Sequence, residues 1–256
     1  MRKIKDRIVY KLWKIRLKFF EIFKFRIVKS FYGIKLISNY KDITFNFYVT
    51  GWYGLKYYKH LSCQKEPFVF LDIGANQGLY TICSSLNKKC ISCYSFEPVK
   101  KTFDLLSKNV HINNVDSKCI LINKAISDIA GKSEIKISMN HSGAATMNDQ
   151  NLLTDEVNII SEKIETITSK DLNKILKDIK CKIIVKIDVE GLEKKVIVEL
   201  FKSEISSLIS EIFFEVDERW ECYNDIKILL EENGFNNLKK ENIINGYHYD
   251  VYATRK

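Results

Sequence analysis

The apolar positions of the chain change period along its length, and the changes mark out its elements. Ile4, Ile8, Leu12, Ile15, Phe19 and Ile22 recur at spacings of four and three with Lys and Arg between them, which predicts an amphipathic basic helix. Lys41 to Val49 alternates as a strand does, and Gly51 and Gly54 break that pattern before a further short helical piece. Phe68 to Ile73 is a continuous apolar run, as in a parallel strand covered on both faces; a glycine turn and a helix follow it, then a second strand, Ile91 to Phe96. Beyond it the pattern predicts a helix over Val99 to Ile112, a strand from Lys118 to Asn123 running into Ala125, Ile126 and Ser127, and a strand over Ser133 to Ser138. Residues 139 to 156 are polar and glycine-containing and predict a long loop, after which Val157 to Ile167 reads as extended. Asp171 to Lys180 predicts a helix and Ile183 to Ile187 a very apolar strand. Ile209 to Phe214 predicts another strand, Arg219 to Glu232 a helix stopped by Gly234, and 235–240 with 247–254 a closing hairpin. Strands alternating with helices in this way predict an open α/β sheet.

Charge changes the picture at one end only. Residues 1 to 35 hold twelve Lys or Arg against Asp6 and Glu21, a net +10, so the remaining 29 cations and 30 acids of the chain's net +9 sum to −1. A basic arm on a near-neutral domain concerns partners rather than fold, and division at 66/67 is expected: residues 1–66 as arm and aromatic-rich connector, 67–256 as the domain. No apolar run approaches the length that crosses a bilayer, and no apolar stretch with a small-residue cleavage site follows the charges, so a cytoplasmic protein is expected. The plain reading of the arm is a helix that packs its apolar stripe on the domain. The functional one is attachment of residues 1–35 to an anionic membrane surface, to which Trp13, Phe19, Phe20, Phe23 and Phe25 are suited.

Seven cysteines, an odd number without a secretory signal, argue against a disulfide scaffold. Cys90 and Cys93 form C-x-x-C at the start of a predicted strand with no second pair to complete a zinc site; buried reduced thiols are expected, and no metal centre. The segment from Tyr40 to Cys63 is rich in aromatics and reads either as an edge hairpin packed on the core or as a wall over a ligand cleft.

The candidate chemistry sits at strand ends. Asp72-Ile-Gly74-Ala-Asn76-Gln-Gly78 is a turn in which glycines permit a sharp bend and close approach to a ligand, and the helix beyond aims free N–H groups at that space. Glu97 follows the second strand, about 20 residues on, where α/β nucleotide-binding units place the carboxylate that holds two ribose hydroxyls. The glycines stand as G-x-x-x-G rather than G-x-G-x-x-G, and Asp72 would repel a pyrophosphate yet suits a cation. S-adenosylmethionine, with a sulfonium, an amino group and a ribose but no phosphate, fits. Asp188, Glu190 and Glu193 stand where the strand Ile183 to Ile187 opens the next helix, the edge at which ligands bind in open α/β sheets. For Glu190 and Glu193 the plainer alternative is a first-turn carboxylate stabilising the helix dipole; for Asp188, ending a buried apolar strand, the functional reading is favoured. His141 is a second candidate base, or a solvated loop residue.

VFLDIGANQGLYT, FEPVKKTFDLLSKNVHINN, NKAISDIAGKSEIKIS with HSGAATM, and IVKIDVEGLEKKVI, taken in this order, resemble the FkbM-type family of S-adenosylmethionine-dependent methyltransferases over most of residues 67 to 216. The resemblance implies a class I methyltransferase (Rossmann-like) sheet of seven mostly parallel strands, the last antiparallel, with helices on both faces. It also implies O-methylation of sugars or other small hydroxylated compounds. No nucleic-acid partner is expected. Carried over, it implies that Asp72, Gly74, Asn76 and Gly78 line the methionine end of the cofactor, that Glu97 holds the ribose and that Ala125 neighbours the adenine. Lys186, Asp188 and Glu190 fall near the transferable methyl, with Asp188 or Glu190 as general base or positioning group. Two other classes share features of the chain: a nicotinamide-dependent oxidoreductase, against which the missing third glycine counts, and a non-catalytic nucleic-acid or membrane adaptor, which leaves the carboxylates at the strand ends without a purpose.

Overall fold

The computed structural model describes residues 2–148 and 159–255, with side chains of the first helix described from Val9 onward. Helix α1 (Arg2–Ile22) leads into a hairpin of β1 (Ile27–Lys29) and β2 (Lys35–Ile37), followed by α2 (Ile43–Thr50) and α3 (Leu55–Ser62). Next come β3 (Phe68–Ile73), α4 (Leu79–Ser85), β4 (Cys90–Phe96), α5 (Lys100–Ile112) and β5 (Cys119–Ile122). An insert of β6 (Ala125–Ile126), β7 (Gly131–Ser138), β8 (His141–Thr146) and β9 (Ile159–Ile167) follows. The chain closes with α6 (Ser169–Leu176), β10 (Ile183–Ile187), α7 (Glu193–Lys202), β11 (Ile209–Asp217), α8 (Tyr223–Glu232), β12 (Asn237–Ile244) and β13 (His248–Thr254).

The main sheet has seven strands in the order β12-β13-β11-β10-β3-β4-β5; β13 runs antiparallel to both neighbours, and β11, β10, β3, β4 and β5 pair in parallel. All six residues of β3 and all five of β10 are buried, which is why both read as unbroken apolar runs. The chain leaves β3 toward β4 on one side and returns through β10 on the other, so a crevice opens beyond their carboxyl ends, as at any topological switch point. The insert forms a separate sheet, β6-β9-β7-β8.

Three expectations are corrected. Residues 41–49 are not a strand: Asp42 accepts from the backbone N–H of Phe45 at 2.8 Å, capping α2, and Gly51 in the left-handed region (φ 72°) ends it. The alternation misled because Phe45, Tyr48 and Val49 also satisfy a helical spacing, and they are its buried apolar residues. Of the loop expected over 139–156, residues 141–146 form β8; residues 149–156, like 157 and 158 of the extended stretch, lie outside the described residues. HSGAAT lacks any apolar alternation, and its conformation is held from outside: Asp42 accepts from Ser142 N (3.0 Å) and Thr44 Oγ1 from Gly143 N (2.9 Å). Finally, not every thiol is buried: all seven cysteines are free, but Cys63 and Cys222 are exposed. Burial pushes the Cys90 thiol up to about 12.

Helix α1 forms as its spacing predicts, but the predicted stripe is not the packed face. A second row, Tyr10, Trp13, Leu17 and Phe20, faces the domain: Tyr10 lies 4.6 Å from Trp52 and Trp13 5.6 Å from Phe31 between ring centroids, and Phe20 is buried. Leu12, Ile15, Phe19 and Ile22 stay exposed. One apolar cluster runs from Phe20 through Leu36, Phe45, Tyr57 and Leu61 into Phe68, Phe70 and Leu79, crossing the position expected to divide arm from domain. Among the described residues no helix is long and apolar enough to cross a membrane.

Candidate active site

A cavity of about 730 Å³ opens over the ends of β3, β4, β10 and β11, lined among others by Ile73, Phe96, Asp188 and Glu215. Its floor is the turn after β3. Gly74 has φ 75°, and a Cβ there would stand 1.9 Å from the carbonyl oxygen of Asp188, so two neighbouring strand ends converge only because position 74 is glycine. Asn76 (φ 50°) offers its backbone N–H to Glu97 Oε2 at 2.9 Å, and Val99 offers its own to Oε1 at 2.9 Å. Each oxygen of Glu97 is thus fixed by one donor and retains a lone pair. Burial pushes this carboxyl up to about 7, against the pull of the two N–H bonds. Beside it, Phe96, Pro98, Ala125, Ile126 and Ile135 give the cavity an apolar slot.

The other end is assembled around Lys186. Its ammonium is buried, donates to Gly74 O at 2.8 Å, and lies 3.2 Å from Asp188 Oδ2 and 3.8 Å from Asp72 Oδ1. Burial alone would lower its pKa, but Asp188 and Asp72 outweigh that and hold it above the ordinary value. Asp188, in the cavity wall, also accepts from the Tyr53 hydroxyl at 3.0 Å. Glu190 and Gly191 take left-handed backbone (φ 55° and 97°), a tight turn held by the buried Glu193, whose carboxylate accepts from Val189 N and Gly191 N, each at 3.0 Å. Thr146 Oγ1 at the end of β8 donates to Glu190 O at 2.6 Å, so the insert is tied to this turn as well as to α2. Glu215, Asp250 and His248 complete the rim, with His248 hydrogen-bonded to Glu215. Burial, reinforced by Asp188 and Glu190, raises the Glu215 carboxyl well above the carboxylate range; burial pushes Asp250 up to about 6 and lowers His248.

The Methyltransferase FkbM domain matches residues 72–236, well over half of the chain. The chain belongs to the FkbM methyltransferase family. Its cofactor is S-adenosylmethionine. Among solved structures, the complex of aTrm5 with tRNALeu is similar over 90% of this chain and 52% of that one, with 12% identity and a TM-score of 0.50. M. capricolum TrmK in complex with S-adenosyl-homocysteine is similar over 78% and 68%, with 12% identity and a TM-score of 0.46. M. jannaschii TYW2 in complex with AdoMet is similar over 90% and 86%, with 15% identity and a TM-score of 0.43. This FkbM chain spans about half the length of the first of these, and the likeness to it is one of fold. No curated protein sequence matches the chain.

The cavity of this FkbM protein fits its cofactor on its own terms. Glu97 offers one lone pair per oxygen, which suits a vicinal diol, and the apolar slot beside it suits a purine. The buried Tyr80 hydroxyl lines the cavity with no hydrogen-bond partner among the described residues. The carboxylates Asp188 and Glu190 face the same space, as a cationic ligand requires.

Of the residues singled out from sequence, Gly74, Asn76, Glu97, Ala125, Asp188 and Glu190 line the cavity together, as does His141, which opens β8 beside Phe47. Asp72, Gly78 and Lys186 do not reach it. Asp72 is fully buried beneath the turn, bonded by Thr81 Oγ1 at 2.6 Å and facing Lys186; burial raises its pKa although Lys186 and Thr81 pull it down. Gly78 caps α4 in the left-handed region (φ 93°), and a Cβ there would meet Leu106 at 2.6 Å. Tyr53, Glu215, His248 and Asp250 were not singled out as site residues. Tyr53 belongs to the aromatic run that reads as a possible wall over the cleft, Glu215 follows the strand that ends at Phe214, and nothing local marks His248 or Asp250.

Proposed function

We propose that the protein methylates a hydroxyl group on a sugar, a glycan or another small polar acceptor, in the part of the cavity bounded by Tyr53, Asp188, Glu190 and Glu215. The observation that carries this reading is the disposition of Glu97 and Asp188 at separate strand ends of one cavity, the first beside an apolar slot, the second in a polar, carboxylate-lined rim. Gly74, Asn76, Glu97 and Ala125 would hold the cofactor, with Asp72 and Gly78 shaping the turn from below. Bound there, the cofactor supplies a methyl group already activated on a sulfonium, so much of the rate comes from placing the acceptor oxygen in line.

The chain's part is to hold that oxygen and take its proton. Asp188 is fixed by Tyr53 and Lys186 on Oδ2, which leaves Oδ1 to accept from an acceptor hydroxyl and receive its proton. Lys186 acts from behind, as the countercharge that sets Asp188 and joins it to the cofactor turn through Gly74 O. The aromatic faces of Tyr48, Trp52 and Tyr53 suit the apolar face of a sugar ring and exclude water.

The test has two parts. Calorimetry with S-adenosylmethionine checks the cofactor, and incubation with a panel of sugars, nucleotide sugars and short glycans, read by mass spectrometry for one added methyl, checks the acceptor. Asp188→Asn is expected to keep cofactor affinity within about twofold while lowering turnover by about 100-fold or more, the range of a lost general base. Wild-type turnover in that variant would move the role to Glu190, His141 or His248, and methylation confined to amines would overturn the hydroxyl reading.

A further inference from the structure

The methyl-transfer reading leaves the outer face of α1 unused. Leu12, Ile15, Phe19, Ile22 and Phe23 are between 49% and 73% exposed, an apolar stripe nearly opposite the row that packs on the domain. Phe25 and Ile27 extend it beyond the helix end, also exposed. At 100° per residue Lys11 and Lys18 flank the stripe on one side and Arg16, its guanidinium 4.6 Å from the Trp13 ring centroid, on the other, and all three are exposed. An apolar stripe between two cationic borders is complementary to an anionic bilayer: acyl chains cover the one and headgroups neutralise the others. Nucleic acid would engage the cations and leave the stripe in water.

The packed face adds a second observation. Trp52 lines the cavity, is itself 62% exposed, and packs against Tyr10 of α1. The cavity mouth therefore abuts α1 on the face across the helix from the stripe, about 10 Å from it, which is the level of the headgroups when the stripe meets the acyl boundary.

We propose that α1 lies in the headgroup layer of an anionic membrane with its outer stripe in the acyl boundary, and that this sets the mouth of the cavity, at Trp52, against the lipid surface. The first half stands on the surface alone. The second rests on the cavity being the methylation site, and it makes the acceptor's class more specific: a hydroxylated headgroup or a lipid-linked glycan presented from the bilayer.

Sedimentation with vesicles of phosphatidylcholine and phosphatidylserine, and of phosphatidylcholine alone, tests the first half without any cofactor. The full chain is expected to pellet with the anionic vesicles and to be released by high salt, since each engaged cation is worth about fivefold in partitioning. The triple variant Leu12→Glu, Ile15→Glu, Ile22→Glu is expected to lose about tenfold or more of that binding, with its melting temperature and its calorimetric affinity for S-adenosylmethionine unchanged. The second half is read from Trp52 as the sole indole, in a chain carrying Trp13→Phe and Trp220→Phe: lipid carrying a nitroxide on its headgroup is expected to quench it. Wild-type chain left in the supernatant overturns the proposal. So do a variant that binds as well as wild type, a variant that melts far lower, and a chain that dimerises through the stripe or retains tRNA while ignoring vesicles. Binding without quenching of Trp52 overturns the orientation alone, and loss of cofactor binding in the wild type would strike the methyltransferase reading while leaving the vesicle result standing.

Discussion

The two ends of the cavity are built in different ways. At the Glu97 end, the carboxylate is fixed from residues 74 to 99: the turn supplies Asn76 N–H, the residues after β4 supply Val99 N–H, and among the described residues no cation forms an ion pair with it. At the Asp188 end, the carboxylate is held by side chains from distant segments, Tyr53 from the stretch between α2 and α3 and Lys186 from β10, with Glu215 and His248 brought alongside by β11 and β13. A carboxylate fixed by backbone amides is a rigid acceptor for hydroxyls that arrive already paired, as on a ribose. A carboxylate fixed by side chains sits in a wall that can differ from one protein to the next while the sheet stays the same, which is what an acceptor site demands.

Removing the hub of the second end is the largest test of that contrast. Lys186→Met leaves Asp72 and Asp188 facing each other in the interior without a cation and frees Gly74 O, and breaking a buried pair of this kind costs about 3–5 kcal/mol. Urea unfolding is expected to show that loss, with the cofactor turn disturbed as well because Lys186 supports both. A loss below about 1 kcal/mol would mean that the second end does not depend on its cation.

The first end breaks differently. Glu97→Ala removes a rigid acceptor of two hydroxyls, and cofactor affinity is expected to fall by about 100-fold, the loss of two charge-assisted hydrogen bonds. Its pH dependence follows from burial. Because the folded carboxyl sits near about 7, above its usual 4.5, the stability it contributes is full below the usual value and is lost as pH rises through about 7. Ribose hydroxyls donate to the ionised form, so cofactor affinity runs the other way: it strengthens as pH rises toward about 7, by at most about tenfold per pH unit, and then levels. Calorimetry across pH 5.5 to 8.5, values that bracket the transition at about 7, checks both signs, and Glu97→Gln should abolish the slope.

The same contrast explains what could be read in the chain. Strand, turn, helix and distal acid follow one another between Phe68 and Glu97, and their periods and glycines point to their partners a few residues away. The open α/β sheet and the cofactor end were legible for that reason, while the count of seven strands came with the family resemblance. The acceptor end was legible only where a strand ends in an acid. Tyr53 follows a segment whose alternation suggested a strand until a cap at Asp42 made it helical, and Asp42 is committed to that role partly by Ser142, 100 residues on. Strand β8 has no apolar period to announce it; its bonds to Asp42, Thr44 and Glu190 do the work of a pattern. The stripe on α1 illustrates a further limit. Spacing located one apolar face on the helix, and the row that meets the domain, Tyr10 and Trp13 among it, was decided by Phe31 and Trp52, outside the helix.

The smallest expected effect is the most discriminating. Tyr53→Phe removes one hydroxyl, leaving a ring of the same shape against Tyr48 and Tyr80, so packing and stability should barely change. The hydroxyl donates to Asp188 Oδ2, and a hydrogen bond to a charged group is worth about 1.5 kcal/mol or somewhat more. If Tyr53 serves the acceptor end only, turnover falls by about tenfold, KM for the acceptor shifts with it as Asp188 loses its orientation, and cofactor affinity stays within about twofold. If the two ends are coupled through Lys186, Asp188 relaxes toward the ammonium, Gly74 O is drawn with it, and cofactor affinity falls alongside turnover. Measuring both constants in the one variant separates an acceptor wall that varies independently of the cofactor floor from a single unit strung on Lys186.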